Sequence, residues 1–325
     1  MMAVYTHISE ADLKQFLTHY DLPQLASFTG IKAGVQNSNY VLVLGDTRYI
    51  LTLYEGGENG VDPADLPYFL KLKQYLAARQ IACPVPVAQR DGALYGTLAG
   101  RPTALVQFLA GRSSKSPTPT HCHALGQAMG KLHLAGRDFG MTRPNRQSMA
   151  HWQKLFSACR ARADEVLPDM EKIIADTLAH LQENWPSDLP QGVIHADLFP
   201  DNVFFEKTEL SGLIDFYFAC TDFFAYDVAI TLNAWCFEPD VNFNITKARA
   251  LLAGYQQSRK MTPEETHALP ILASGAAVRF LLTRLYDYLH PKNAGLLEPK
   301  NPIDYLRRLR FHKSVTHARD YGLES

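Results

Sequence analysis

Two rhythms of apolar residues alternate along the first hundred positions. Leu13, Phe16, Leu17 and Tyr20 share one face at helical spacing. Ser9 precedes them as a cap, and Asp12 takes the third helical position, where an acid suits the positive end of the helix dipole. From Phe28 to Leu44 the pattern becomes strand-like, broken by Gly30, Gly34 and the polar run Asn37-Ser38-Asn39. A G-D-T turn follows, and R-Y-I-L-T-L-Y (48–54) reads as the next strand. An antiparallel hairpin with a polar, glycine-bearing loop is therefore predicted. A helix capped by Asp65 carries Phe69, Leu70, Leu72, Tyr75 and Leu76, and the run C-P-V-P-V ends it, because proline cannot continue a helix. Further strands are predicted over 93–98 and 103–109.

The texture changes after A-G-R-S-S-K-S-P-T-P-T (110–120), which reads as a linker. Helical spacing then dominates, over about 120–135, 148–166, 169–185, 225–237, 246–258, 263–289 and 302–320. Thr262-Pro263-Glu264-Glu265 is a helix start: a cap, a proline at the first position and an acid at the third. One β-hairpin, 203–216, interrupts the helices. The layout is α+β, with a small sheet-rich lobe, a short connector and a larger helical lobe.

Composition narrows the function classes. The chain has 325 residues, 46% of them hydrophobic and 20% charged, which is enough for one large or two ordinary globular domains. A formal net charge of −1 gives no general drive toward nucleic acid or an anionic membrane. Five scattered cysteines without C-x-x-C spacing argue for buried free thiols in a reducing compartment rather than a disulfide framework or zinc ribbon. The start, M-M-A-V-Y-T-H-I-S-E, has neither a basic nor an apolar leader region, and no stretch approaches 18 uninterrupted apolar residues. The expectation is a soluble cytoplasmic protein with no membrane or nucleic-acid partner, its oligomeric state left open.

The chemistry concentrates in H-A-D-L-F-P-D-N-V-F-F (195–205). Folding 203–216 about the middle of K-T-E-L places Asn202 opposite Asp215, and opposed residues lie roughly 4.5–5.5 Å apart at Cα. A carbonyl oxygen and a carboxylate are hard ligands of the kind Mg²⁺ prefers, completed by phosphates. Asp197 lies five residues before Asn202. H-x-D-x-x-x-x-N is the spacing of a kinase catalytic loop, in which the Asp accepts a hydroxyl proton and the Asn holds a metal, with a second metal-binding Asp on the next hairpin. Asp and Asn are also ordinary turn residues, so the spacing alone is weak; Asp215 in register is what strengthens it. His195 reads as a hydrogen-bonding brace of the loop rather than an acid or base. His121-Cys122-His123 does not read as a metal site, because adjacent residues on a helix do not converge.

The triple Asp197, Asn202 and Asp215, with G-K-L-H-L-A-G (130–136) and G-L-I-D-F-Y-F-A-C-T-D-F-F-A-Y-D-V-A (212–229), resembles the aminoglycoside-phosphotransferase-like kinases, which have the bilobal protein-kinase-like fold. More narrowly, G-V-Q-N-S-N-Y, R-Y-I-L-T-L-Y-E, A-D-L-P-Y-F-L and A-V-R-F-L-L-T-R-L-Y-D are similar to the bacterial homoserine-kinase branch, and the likeness runs from about residue 3 to 320. It implies an ATP-binding lobe over 1–106, a hinge over 107–111 and a helical lobe over 112–325. It implies ATP and Mg²⁺ as cofactors and L-homoserine as the substrate, phosphorylated on its hydroxyl to O-phospho-L-homoserine on the way to threonine. Asp197 would be the base, and Asn202 and Asp215 the metal ligands. The loop with Gly34, Asn37, Ser38 and Asn39 would cover the phosphates through backbone N–H groups and the Ser38 hydroxyl. Gln107, Phe108 and Leu109 would read the adenine edge. One departure stands out: Thr52 occupies the place of the usual third-strand lysine, and its glutamate partner would fall near Phe69. Lys32 is either a replacement for that lysine or a solvated surface residue.

Homoserine carries a carboxylate and an ammonium, which call for an arginine fork and a carboxylate. Arg279, Arg284 and Asp287 lie in an apolar helix, where charges need partners. Arg279 or Arg284 either binds the acceptor carboxylate or forms internal ion pairs, for instance to Asp222 or Asp227. Asp222 and Asp227 themselves read more as loop braces or caps than as substrate ligands. A choline acceptor would call for an aromatic cage and an aminoglycoside for an acidic cleft, so the arginines favour an amino acid. A non-catalytic kinase-like binding protein would explain the missing Lys/Glu pair, but it has no chemical need for a base and two metal ligands together.

Overall fold

The Ser9 side chain accepts the Asp12 N–H at 3.1 Å and opens helix α1 (Glu10–Leu17), whose Leu13 and Phe16 point inward. The structure is a computed structural model that describes residues 5–31, 37–56, 61–291 and 299–323. The chain divides into two compact units, Met1–Gly111 with Ser211–Tyr217, and Arg112–Leu210 with Phe218–Ser325.

In the first unit, β1 (Leu25–Gly30), β2 (Ser38–Leu44), β3 (Thr47–Leu53), β4 (Gly96–Leu98) and β5 (Arg101–Gln107) form an antiparallel sheet of order β1-β2-β3-β5-β4. The strict alternation of β2 sends Tyr40, Leu42 and Leu44 into a core with Leu13, Phe16, Leu51, Leu53 and Leu105. Helix α2 (Leu66–Ala77) follows β3. Asp65 does not cap it. Asp62 accepts the Ala64 N–H at 3.0 Å and starts a short 3-10 turn over Pro63–Asp65 that runs into the helix. The strand predicted over 93–98 shrinks to β4, because the Gln89 N–H bonds the Ala93 carbonyl and closes a turn there.

The second unit comprises β6 (Arg112–Ser113), α3 (Pro119–Gly136), α4 (Met149–Cys159), α5 (Met170–Asn184), β7 (Gln191–Ile194), β8 (Val203–Glu206), the start of β9 (Glu209–Leu213), β10 (Cys220–Phe223), α6 (Phe224–Trp235), α7 (Ile245–Ser258), α8 (Pro263–Leu289) and α9 (Ile303–Ser314). The predicted linker carries β6, whose Arg112 faces Phe205 of β8. The predicted hairpin forms as β8 and β9, but it turns over Lys207 and Thr208, earlier than the middle of K-T-E-L, so the register expected to set Asn202 opposite Asp215 does not hold. It is also not the only strand structure here: β7 and β10 pair antiparallel, with Ile194 opposite Cys220 and Gly192 opposite Asp222. Those strands are four residues long, too short to show an alternation. The last predicted helix stops at Ser314, where Val315 turns extended.

Helix α8 is the spine of this unit. Thr262 and Glu265 form the predicted capping box, each side chain accepting the other's backbone N–H. By length and composition α8 is apolar enough to cross a membrane, yet 72% of that stretch is buried against neighbours that include α4, α5, α6 and α9. Helix α9 is pinned to α6 by His312, whose ring nitrogens bond the Tyr321 hydroxyl at 2.8 Å and Asn233 Oδ1 at 3.1 Å. Helices α3 and α7 touch backbone to backbone. A Cβ on Gly126 would sit 2.1 Å from the Leu251 carbonyl, and one on Gly254 2.1 Å from the His123 carbonyl, so only glycine fits at either crossing point.

Candidate active site

Strand β7 delivers His195, Ala196 and Asp197 in succession, and Ala196 adopts a left-handed φ of 61°. A non-glycine residue holds that conformation only where its surroundings impose it. Here they do. Asp227, in the first turn of α6 and fully buried, accepts the His195 N–H at 2.9 Å and the Ala196 N–H at 2.8 Å. Arg279 of α8 donates to the Ala196 carbonyl at 2.8 Å, and the Trp235 indole N–H donates to the Leu198 carbonyl at 2.7 Å. The loop ends with Asn202, whose amide nitrogen lies 3.0 Å from Asp197 Oδ2 and 2.9 Å from the Asp197 carbonyl. That amide orients the half-buried Asp197 carboxylate and turns the Asn202 Oδ1, an acceptor, to the opposite side.

Beneath the loop lies a chain of buried polar groups. His133 Nε2 is 3.1 Å from Asp227, and its Nδ1 is 2.8 Å from the Tyr255 hydroxyl. Arg259 donates to that hydroxyl at 3.0 Å and forks onto Glu265 at 3.0 and 3.1 Å. The donor inventory sets the direction. Arg259 fills the Tyr255 oxygen, Tyr255 donates to Nδ1, and a neutral His133 donates from Nε2 to Asp227. The electrostatics agree. Burial pushes the His133 pKa down, against the pull of Asp227. Burial raises the Asp227 carboxyl, but the hydrogen bond and field of His133, the His195 ring and the His195 N–H hold it below its ordinary value.

The arginines considered for the acceptor are both engaged inside this unit. Arg279 is 2% exposed and lies 4.7 Å over the Phe280 ring in addition to holding Ala196. Arg284 reaches α9 instead of Asp222 or Asp227: it pairs with Asp304 at 3.3 Å and covers the Tyr305 ring at 4.5 Å. Asp222 accepts from Asn145 at 2.7 Å and from the Phe223 N–H at 2.7 Å, and burial raises its pKa. His121 closes the capping box of α3 with Thr118, a structural use, and among the described residues no three His, Cys, Asp or Glu side chains cluster for a metal.

In the first unit, Asn37, Ser38 and Asn39 emerge at the head of β2, while Gly34 and Lys32 lie outside the described residues. The Ser38 hydroxyl is not available to a phosphate. It is fully buried, donates to the Glu55 carboxylate, and accepts the Tyr5 and Thr6 N–H groups at 2.8 and 2.9 Å, which fills its donor and both acceptor positions. Asn37 accepts the Glu55 N–H at 3.3 Å, and Asn39 accepts the Thr52 hydroxyl at 2.7 Å. At the predicted hinge, the Gln107 N–H bonds the Val85 carbonyl and the Phe108 N–H the Arg48 carbonyl. The Arg48 guanidinium sits 4.0 Å over the Phe108 ring. Asp215, exposed, has a left-handed φ of 62°. Two residues on, the Tyr217 hydroxyl meets that of Tyr54 at 3.0 Å. The face of α2 carrying Phe69 and Lys73 lies against Tyr217, the Phe69 ring at 5.6 Å edge-on and Lys73 Nζ at 5.8 Å from its centroid. Burial lowers the Lys73 pKa to about 8, opposed by Cys83 and Asp215.

Residues 27–261 match the family model described as the phosphotransferase enzyme family, and the chain belongs to that family. Its fold is the protein-kinase-like one. Amicoumacin kinase, solved in complex with AMP-PNP, Ca²⁺ and Ami, superposes with a TM-score of 0.69 over 96% of this chain and 95% of that one, at 16% identity. Much nearer in sequence are proteins named homoserine kinase. The one from Azorhizobium caulinodans is 56% identical over 322 residues, 99% of both chains, and that from Xanthobacter autotrophicus is 55% identical over the same shares.

Proposed function

We propose that the protein is an ATP-dependent homoserine kinase, converting L-homoserine to O-phospho-L-homoserine on the route to threonine. Identity of 56% across essentially the whole chain to a protein of that name supports the acceptor, and the Asp197–Asn202 geometry supports the chemistry. Asp197 accepts the hydroxyl proton as the acceptor oxygen attacks the γ-phosphorus and ADP departs. The Asn202 amide keeps the carboxylate aimed, and the Asp227 and Arg279 contacts keep the loop from yielding. Asn202 Oδ1 and the Asp215 carboxylate are each hard oxygen donors of the kind that would hold Mg²⁺ together with nucleotide phosphates. When bound, that ion neutralises charge on the transferring phosphoryl group. Adenine is read by main-chain groups from Gln107 to Leu109. With the Gln107 and Phe108 N–H groups already engaged, the Leu109 N–H is the donor assigned to the base.

Arg279 and Arg284 each support neighbouring structure, the first at Ala196 and the second at Asp304. Five buried free cysteines suit a reducing cytoplasm. The test is ADP release from Mg·ATP with homoserine, choline, serine, threonine and an aminoglycoside in parallel. Turnover is expected with homoserine first. Best turnover with choline would overturn the acceptor, and none with any of them would overturn the enzyme reading.

A further inference from the structure

Thr52 stands on β3 where kinases of this fold carry a lysine, so the positive charge next to the nucleotide has to come from elsewhere. The Thr52 hydroxyl is already given to Asn39 at 2.7 Å, and the place of the partner glutamate is held by Phe69, a core residue. One turn further along the same face of α2 is Lys73, only 5% exposed. Its exposed neighbour Lys71 points the other way. Among the described residues, no ion pair or hydrogen bond engages Lys73 Nζ. A lysine side chain buried to this degree gives up much of its hydration, a loss that nearby negative charge offsets. It lies against Tyr217, two residues past Asp215, and the fields of Cys83 and then of Asp215 both act on it. Phe69 and Lys73, four residues apart, thus both press on the segment that carries Asp215.

We propose that Lys73 does from helix α2 what the missing strand lysine does elsewhere: it holds the Asp215 carboxylate in place and presents a fixed positive charge to the phosphates of the bound nucleotide. It is a positioning residue, and the proposal rests on the kinase reading above. A lysine kept only for packing would behave differently. Its replacement by methionine, of similar length and without charge, would leave nucleotide binding alone and raise or preserve thermal stability.

The experiment is titration of the full-length protein with ADP at several Mg²⁺ concentrations, read by calorimetry. It compares wild type with Lys73→Met, Lys73→Arg and the exposed control Lys71→Met, and records thermal midpoints alongside. Lys73→Met is expected to weaken Mg·ADP on the order of 10- to 100-fold and to need more Mg²⁺ for half-saturation, with its melting point held or raised. Lys73→Arg is expected to recover most of the affinity, and Lys71→Met to match wild type. Wild-type affinity in Lys73→Met overturns the proposal, and so does an equal loss in the Met and Arg variants. Should Lys73→Met not fold, Lys73→Gln is read in its place. Because no acceptor is present, a wrong acceptor cannot mask the result. Failure of the wild type itself to bind Mg·ADP would instead overturn the kinase reading.

Discussion

The two units hold their functional residues by different means. In the second, the catalytic loop is fixed through its backbone: buried Asp227 and Arg279 grip consecutive main-chain groups at His195 and Ala196, and a buried relay through His133, Tyr255, Arg259 and Glu265 backs them. In the first, the residues at the head of β2 are stitched by side chains to the end of β3 and beyond it, Asn39 to Thr52 and Ser38 to Glu55, with Lys73 the buried cation. Backbone anchoring by ionised groups is charge-assisted and unforgiving, because removing one partner strands the other in a low dielectric. A side-chain stitch such as Asn39 to Thr52 is neutral, and bonds of that kind are individually weak and individually replaceable.

The comparison can be broken at four points, from the largest effect down. Asp197→Asn should lower kcat by about 10²–10⁴-fold with little change in ATP affinity, since it removes the proton acceptor and leaves the loop anchors intact. A mild loss in steady-state assays would remove Asp197 from the centre of the mechanism. Asp227→Ala, which never meets the substrate, should cost about 3–5 kcal/mol in urea unfolding, because it strands the His195 and Ala196 N–H groups and His133. If it cost no more than Ser38→Ala, the contrast between the units would collapse.

Acid should single out the second unit. Burial, with Arg308 adding to it, pushes the His312 pKa down to about 3. The unfolded chain therefore binds a proton near pH 6.5 that the folded one refuses. His312 contributes fully above pH 6.5 and its contribution is lost as pH falls toward 3, about 2 kcal/mol by pH 5. Trp152, Trp185 and Trp235 all lie in this unit, so tryptophan fluorescence reports it selectively. The urea midpoint by fluorescence should fall between pH 6.5 and 5, and His312→Gln should flatten that slope. The smallest effect belongs to Arg284→Ala. A partly exposed ion pair is worth about 1 kcal/mol or less, and homoserine KM should stay within about twofold if Arg284 only ties α8 to α9. A rise of tenfold or more would return Arg284 to the acceptor site.

Much of this was legible in the residues. The caps at Ser9 and Thr262, the hairpin of β2 and β3, and the spacing of Asp197 and Asn202 rest on local rules, and local rules survive folding. The short strands β7 and β10 escaped because each is specified by its partner rather than by its own pattern. Ser38 departs from its expected role for a related reason. A hydroxyl in a polar loop looks free until the N-terminal segment, over thirty residues away, donates two N–H groups to it. Asp65 lost its cap to Asp62 because Pro63 opened a 3-10 turn one step earlier. Asp227 inside F-F-A-Y-D-V-A is the loop brace its context suggests. Lys73, a lone charge on an apolar face at i+4 from Phe69, shows its place only in the fold.

The glycine seam between α3 and α7 has a bearing on how this enzyme tolerates change. Gly126 lies two turns before His133 on one helix, and Gly254 immediately precedes Tyr255 on the other. The closeness that the seam allows sets the gap across which the His133–Tyr255 bond is made. A single methyl group at either glycine would act as a shim, prising the helices apart and slackening the relay under the catalytic loop. A survey of every substitution should thus find two intolerant positions that no substrate ever approaches, their constraint one of machining tolerance rather than chemistry.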